Sequence, residues 1–274
     1  MKTLIVTAKQ LKDIGRWDID YHLPPVGIIS FPEELRVQVK KCADFIKKKR
    51  DPTKNPDRPF QYIDIASIDV ITGAVSAAQE LTGLEAPSRA RKVVHAYDIL
   101  VSTCRPTRGA IAVVPEALHG QICSTGFSVV RAKAGVNPFY LHFALRLGST
   151  LEQFRKWSTG SSYPAILDDD VSKTQIPLPL AKVQDQIARV VRCATAERDA
   201  VIHEANKTWK TSIDGVIANL EKKVAVRDWA KKSDLVFSID QVAERLAKLP
   251  PVEEEAFTGE EETGEQDMFG EEDK

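Results

Sequence analysis

The chain has 274 residues, 43% hydrophobic and 28% charged, enough for one sizeable domain with an extension or for two small ones. It holds no apolar run of about 18 residues, which excludes a membrane-spanning helix, and MKTLIVTAKQLKD lacks the core length and cleavage pattern of a secretory leader, so a cytoplasmic location is expected. The net charge of −1 conceals an asymmetry: residues 251–274 carry eleven carboxylates and one lysine, which leaves 37 basic against 28 acidic side chains, or +9, on the first 250 residues. A body of that sign is compatible with a polyanionic partner, or simply with a solvated surface.

In chain order, LIVTA is a short strand-like run, followed by an irregular stretch ending at LPPVG, in which Trp17 and Tyr21 are expected as half-buried packing groups. Ser30 and Glu33 form an S-x-x-E capping box with Pro32 inside the first turn. Leu35, Val39, Cys42 and Ile46 follow at helical spacing. Glu33 and Glu34 at the start and Lys47–Arg50 at the end match the dipole of a helix over about 30–50, with phosphate contact as a second reading of that basic run. DPTKNPDRP must be a loop. FQYIDIASIDVITG alternates and is β-branched, hence a strand, and residues 72–90 form a connecting loop or an irregular turn.

KVVHAYDILVST, GAIAVVPEAL and QICSTGFSVVRA are three further strand-like runs. NPFYLHFALRLGSTLEQFRKW is a helical pattern with Phe139, Phe143 and Leu147 on one face. The small-residue turn TGSS and the exposed-looking Tyr163 come next, and Asp168, Asp169 and Asp170 form a charged turn. Pro177 and Pro179 in IPLPL then stop any helix from crossing. The whole of 1–180 is therefore predicted as a mixed α/β domain.

From Lys182 the apolar positions Val183, Ile187, Val190, Ala194, Val201, Ala205, Trp209, Ile213, Val216, Leu220 and Val224 recur in steps of threes and fours, with a polar Glu197 at one seam position and a stutter near Ala205. A helix of about 40 residues would be roughly 60 Å long. Its stripe outruns one compact domain and calls for a partner helix; the alternative is two shorter helices folded back on each other, with a break near Lys223–Trp229. This coiled-coil-type region is placed at 181–228. A short helix capped by Ser238 and Gln241 falls within 229–250, and the acidic segment 251–274 is expected to be disordered.

Signals for catalysis are weak. His95, His119, Cys104 and Cys123 match no metal template, and the four cysteines (Cys42, Cys104, Cys123, Cys193) suit reduced thiols rather than a disulfide framework. No phosphate-binding Gly-rich loop and no methyltransferase motif is present, so neither a cofactor nor an enzymatic activity is expected. The groups best suited to DNA are Arg105 and Arg108, in a loop held by Pro106 and Gly109, with Arg89, Arg91 and Lys92 before the same strand. Ser161, Ser162 and Tyr163 lie in a turn whose backbone amides could approach phosphate. Each also has a structural reading: Arg108 as a brace of its loop, and Tyr163 as a plug of the core.

Four segments, in order, carry a resemblance. GRWDIDYHLPP, QYIDIASID, RKVVHAYDILVSTCRPTRGAIAVVP, and GSSYPAI with IPLPL and a VQDQI helix start are similar to the specificity subunit of Type I restriction–modification systems, over about residues 15–225. The resemblance implies a target recognition domain on double-stranded DNA, serving an adenine DNA methyltransferase subunit that carries the S-adenosylmethionine, with a restriction subunit as a further partner. Members carry two recognition domains and two long helices where this chain has one of each, which implies self-association through the helix or a system needing one domain. The alternative is an assembly scaffold that no longer reads sequence.

Overall fold

The computed structural model describes residues 7–17, 19–22, 25–160, 162–221 and 247–248. Three short helices come first: α1 (Ala8–Ile14), α2 (Ile19–His22) and α3 (Val26–Ile29). Next are β1 (Arg36–Gln38), the single turn α4 (Val39–Cys42), β2 (Ala43–Phe45), β3 (Phe60–Ile63), β4 (Ile68–Asp69), β5 (Ala74–Val75) and β6 (Gln79–Leu81). Then follow β7 (Ala90–Val93), β8 (Ile99–Ser102), β9 (Ile111–Val113), β10 (Ile122–Ser124) and β11 (Phe127–Ala132). Helices α5 (Pro138–Leu145), α6 (Gly148–Trp157) and α7 (Asp168–Lys173) lead to β12 (Gln175–Pro177) and α8 (Ala181–Leu220). The mixed α/β class and the long C-terminal helix agree with the sequence.

Two four-stranded sheets carry the domain, in the orders β6-β3-β10-β7 and β2-β11-β8-β9, beside the two-stranded pairs β1-β12 and β4-β5. Strand β8 is buried along its whole length. Its Ile99 and Val101 face a core shared with Tyr140, Leu141, Leu145 and Phe154 of α5 and α6. Leu100 faces a second core with Phe127, Val129 and Ala112. That is why ILV is apolar without alternation: side chains alternate between the two faces of a strand, and here both faces are covered.

Several expectations are corrected. The helix over 30–50 does not form. Ser30 Oγ donates to Gly27 O at 2.7 Å instead of capping, Arg36–Gln38 pair with β12, and Ala43–Phe45 pair with β11. Val39 and Cys42 are buried as the helical spacing requires, but only one turn is α-helical, after a 3-10 turn at Glu33–Leu35, because strand partners far along the chain take the backbone on either side. Residues 72–90 hold β5 and β6 rather than loop alone. The run KVVHAYDILVST is two strands in different sheets, and so is QICSTGFSVVRA, broken at Thr125–Gly126. The helical pattern over 137–157 splits at Arg146–Leu147, and its buried face is Tyr140, Leu141, Ala144 and Leu145 rather than Phe139, Phe143 and Leu147. Trp17 is not half-buried but 77% exposed, whereas Tyr21 packs edge-on against Trp157. Ala8, in the strand-like run, opens α1.

Helix α8 extends 40 residues, as the periodicity indicates. Gln184 and Ala188 are buried at its start, and the Arg192 guanidinium lies over the Phe139 ring, 4.3 Å from its centroid. Phe139 in turn packs edge-on against Tyr97, which donates its hydroxyl hydrogen to Glu116. Two compact units divide the chain at Asn206–Lys207. Further along α8, Val201, Trp209 and Leu220 are 67–78% exposed. Among the described residues no helix is long and apolar enough to cross a membrane. The break near Lys223–Trp229, the helix capped by Ser238 and Gln241, and the acidic segment 251–274 lie outside the described residues.

Candidate nucleic-acid interface

Strand β8 delivers the arginine loop. After Ser102 the chain turns at Arg105, whose backbone is left-handed (φ 46°, ψ 53°), makes a single 3-10 turn over Pro106–Arg108, and leaves through Gly109 at φ 72°. A left-handed conformation is costly for a residue with a side chain, so this one has to be imposed by its surroundings. Pro106 is buried. The Arg105 N–H donates to Pro164 O at 2.7 Å, and the Arg108 N–H donates back to Arg105 O at 3.0 Å.

Pro164 belongs to the TGSSYPA turn, so the two segments that the sequence separates by some fifty residues meet here. Thr159 and Ala165 exchange both backbone hydrogen bonds at 2.9 Å, closing the turn between them. Ala165 also bridges Cys104, and the Ile166 N–H donates to Thr103 O at 2.9 Å. Tyr163, 77% exposed, stands over the loop with its ring centroid 4.7 Å from the Arg105 guanidinium carbon. Ser162 is exposed beside it; Ser161 lies outside the described residues. At its base the turn is held by Arg16, which donates to Trp157 O at 3.3 Å and to Ser158 O at 2.9 Å. This gives GRWDIDYHLPP a positioning role that sequence reasoning missed.

The third segment joins from the other side. The Thr125 N–H donates to Arg89 O at 2.9 Å, and the Thr103 N–H donates to Gly126 O at 2.8 Å. Arg89, the 125–126 turn, the arginine loop and the Tyr163 turn therefore form one hydrogen-bonded series along a single edge. Their side chains are not equally available. Arg89 and Arg108 are exposed and meet no acceptor among the described residues. Arg91 donates to Ala90 O at 2.9 Å and lies 3.6 Å from Asp51. Lys92 donates to Phe127 O at 2.6 Å and lies 3.9 Å from Asp168. Lys47, Lys48 and Lys49 are exposed beside β7, with Lys49 directly across from Lys92. The backbone pairing at Lys49 sets this basic run beside β7 rather than on a helix.

The other candidates are dispersed. Cys123 is buried in β10, its thiol pushed up to about 12 by burial, while Cys104 is exposed on the arginine loop. The His95 and His119 rings lie 5.0 Å apart, and His119 Nδ1 accepts the Ala96 N–H at 3.2 Å. Among the described residues no three His, Cys, Asp or Glu side chains gather as metal ligands would. Asp168–Asp170 form the first turn of α7, with Asp170 accepting the Leu167 N–H at 2.8 Å.

Comparisons with known proteins agree with this geometry. Residues 35–200 match the family described as Type I restriction modification DNA specificity domain. The chain is 27% identical over 150 residues to the Type I restriction enzyme HindI specificity subunit of Haemophilus influenzae, covering 52% of this chain and 33% of that one. The crystal structure of the HsdS subunit from Thermoanaerobacter tengcongensis is similar at TM-score 0.51 and 37% identity, over 65% of this chain and 44% of that one. A structure described as the basis of complex assembly and conformational transition of the type I R-M system matches at TM-score 0.51 and 34% identity, over 73% of this chain and 51% of that one. The chain thus spans a third to a half of the length of these relatives. With a family match over most of the folded domain, on the same residues that build the basic edge, this chain belongs to the Type I restriction–modification DNA specificity family.

Proposed function

We propose that this chain reads a DNA site for a methyltransferase complex, as a specificity subunit or the half of one, and performs no chemistry itself. The observation that carries this reading is the convergence of Arg89, Arg105, Arg108 and Tyr163 on one edge of a family-defined recognition domain. Cations there would meet phosphates, and planar groups would reach base edges. An adenine methyltransferase subunit that supplies S-adenosylmethionine is the proposed partner, with a restriction subunit as a further one; complex assembly is what one of the similar structures describes. The exposed apolar positions of α8 supply the assembly surface.

Binding of the full chain to duplex DNA, with and without a co-expressed methyltransferase subunit, tests the proposal. Affinity should fall steeply between about 50 and 200 mM salt, as counterion release requires, and one duplex should outcompete random sequence. If no duplex is bound even with the methyltransferase present, the DNA reading fails and the chain is an assembly scaffold.

A further inference from the structure

We infer that Arg105, stacked on Tyr163, is the side chain that recognises a guanine in the major groove, so that the target contains a G·C pair at the position it reaches. This rests on the DNA-reading function proposed above and names what one residue of that site recognises.

Three observations separate Arg105 from the other cations of the edge. Its backbone sits at φ 46°, one of only two positive φ values among the described non-glycine residues. Strain of this kind persists where the surroundings over-determine it and clusters at binding sites. Here the Pro164 carbonyl, the buried Pro106 and the returning Arg108 N–H set the direction in which the side chain leaves. Next, the guanidinium carbon lies 4.7 Å over the centroid of a ring that is itself 77% exposed, so Tyr163 is not filling a core. Finally, among the described residues no carbonyl or carboxylate accepts from the guanidinium N–H groups. Arg16 forms the contrast: it also lies 4.7 Å over a tyrosine, Tyr21, but its donors are used on Trp157 O and Ser158 O. One stack holds the fold together. The other presents an unused fork.

A planar fork of parallel donors fits two adjacent acceptors in one plane. Guanine offers O6 and N7 in the major groove, the commonest specific partner of arginine. Phosphate accepts a fork too, but it needs neither a fixed backbone nor a stacked ring. The exposed Arg89, Arg108 and Lys47–Lys49 serve that purpose without strain. Stacking removes much of the rotamer freedom that arginine otherwise loses on binding, which is what a base contact requires.

The test is selection of bound sites from a randomised duplex pool by the full chain, with its methyltransferase subunit where binding requires it, for wild type, Arg105→Lys, Arg105→Gly, Tyr163→Leu and Arg108→Ala. Wild type should enrich a site with an invariant guanine. Arg105→Lys keeps the charge and loses the fork. It should lose about tenfold of the preference for guanine at that one position, leaving the others unchanged. Tyr163→Leu should weaken the same preference partially, and Arg108→Ala should lower affinity for all sequences alike. Arg105→Gly should abolish the preference without lowering the melting temperature, since glycine accepts φ 46° freely; a fall would mark Arg105 as a structural residue and overturn the inference. Unchanged preference in Arg105→Lys would also overturn it while leaving DNA reading intact. Failure of wild type to enrich any sequence would instead remove the function on which the inference stands.

Discussion

Asp98, just before β8, and Arg131, near the end of β11, form a two-point ion pair: Nε reaches Oδ1 at 2.7 Å and Nη2 reaches Oδ2 at 2.8 Å, with the Arg131 side chain 35% exposed. The carboxylate is fully buried and also accepts the His95 N–H at 2.8 Å. The Asp98 hydrogen bonds hold the guanidinium above its ordinary pKa. Removing one member of such a pair leaves the other poorly solvated. Arg131→Ala should therefore lower stability by about 3 kcal/mol in urea unfolding; a loss below about 1 kcal/mol would show that water reaches the Asp98 carboxylate freely.

His142 should give the domain an acid-sensitive step. Burial first, then the neighbouring Arg146 charge, depresses its pKa from 6.5 to about 4. Its Nε2 lies 3.1 Å from Ile111 O, against Gly73, whose φ of 72° and lack of a β-carbon admit the ring. The folded state binds the proton more weakly than the unfolded one. Stability from this group is thus complete above about pH 6.5 and is lost as pH falls toward 4, by up to about 3 kcal/mol. His142→Gln should flatten the pH dependence of the unfolding midpoint over that window. An unchanged slope would assign the acid sensitivity elsewhere.

Gln184 explains why the long helix opens on V-Q-D-Q. Its amide oxygen accepts the Asn137 N–H at 3.0 Å and its amide nitrogen donates to Pro179 O at 2.7 Å, in a site only 3% exposed. One side chain so joins the start of α5, the proline hinge and α8. Gln184→Ala orphans a buried donor and a buried acceptor, and should cost about 1–3 kcal/mol. Hydrogen exchange should accelerate at residues 137–141; unaltered exchange there would mean that water replaces the amide.

Ile213 and Leu220 test the assembly surface. Both lie on the predicted stripe, 39% and 78% exposed. Ile213→Asp with Leu220→Asp should convert a self-associating chain into a monomer in sedimentation, while the domain upstream keeps its melting temperature. A wild-type chain that already sediments as a monomer, alone and with a methyltransferase, would exclude pairing of two such helices.

What was legible in the sequence is what depends on near neighbours. The stripe from Val183 to Leu220 gives α8, and the unbroken ILV of β8 reads as a strand because burial on both faces leaves no polar alternation to find. The Ser30–Glu33 box misled for the opposite reason: the competing partners of Arg36–Gln38 lie in β12, far along the chain. Arg105, Arg108 and Tyr163 are recognisable singly as candidates. Their meeting is not, because it depends on the bridge of Cys104 to Ala165 and on the Pro164 carbonyl, long-range pairings that no local pattern encodes. The inward use of Lys92 is hidden likewise, since its acceptor, Phe127 O, belongs to another strand.

The pairing of Arg36 with Pro177 has one more consequence. Leu178 N–H donates to Leu35 O at 2.8 Å and Val39 N–H to Thr174 O at 3.0 Å, so the two ends of the segment between β1 and β12 run as adjacent strands of one ribbon. Residues 38–175 are thereby a segment whose two ends lie side by side, about 5 Å apart, with the helices before β1 packed on its α6. Domains whose ends are adjacent tolerate transplantation and circular permutation, because the surrounding backbone need not move to accommodate the exchange. A foreign segment ending in the same two strands could replace this one while α8 still starts from the same ribbon.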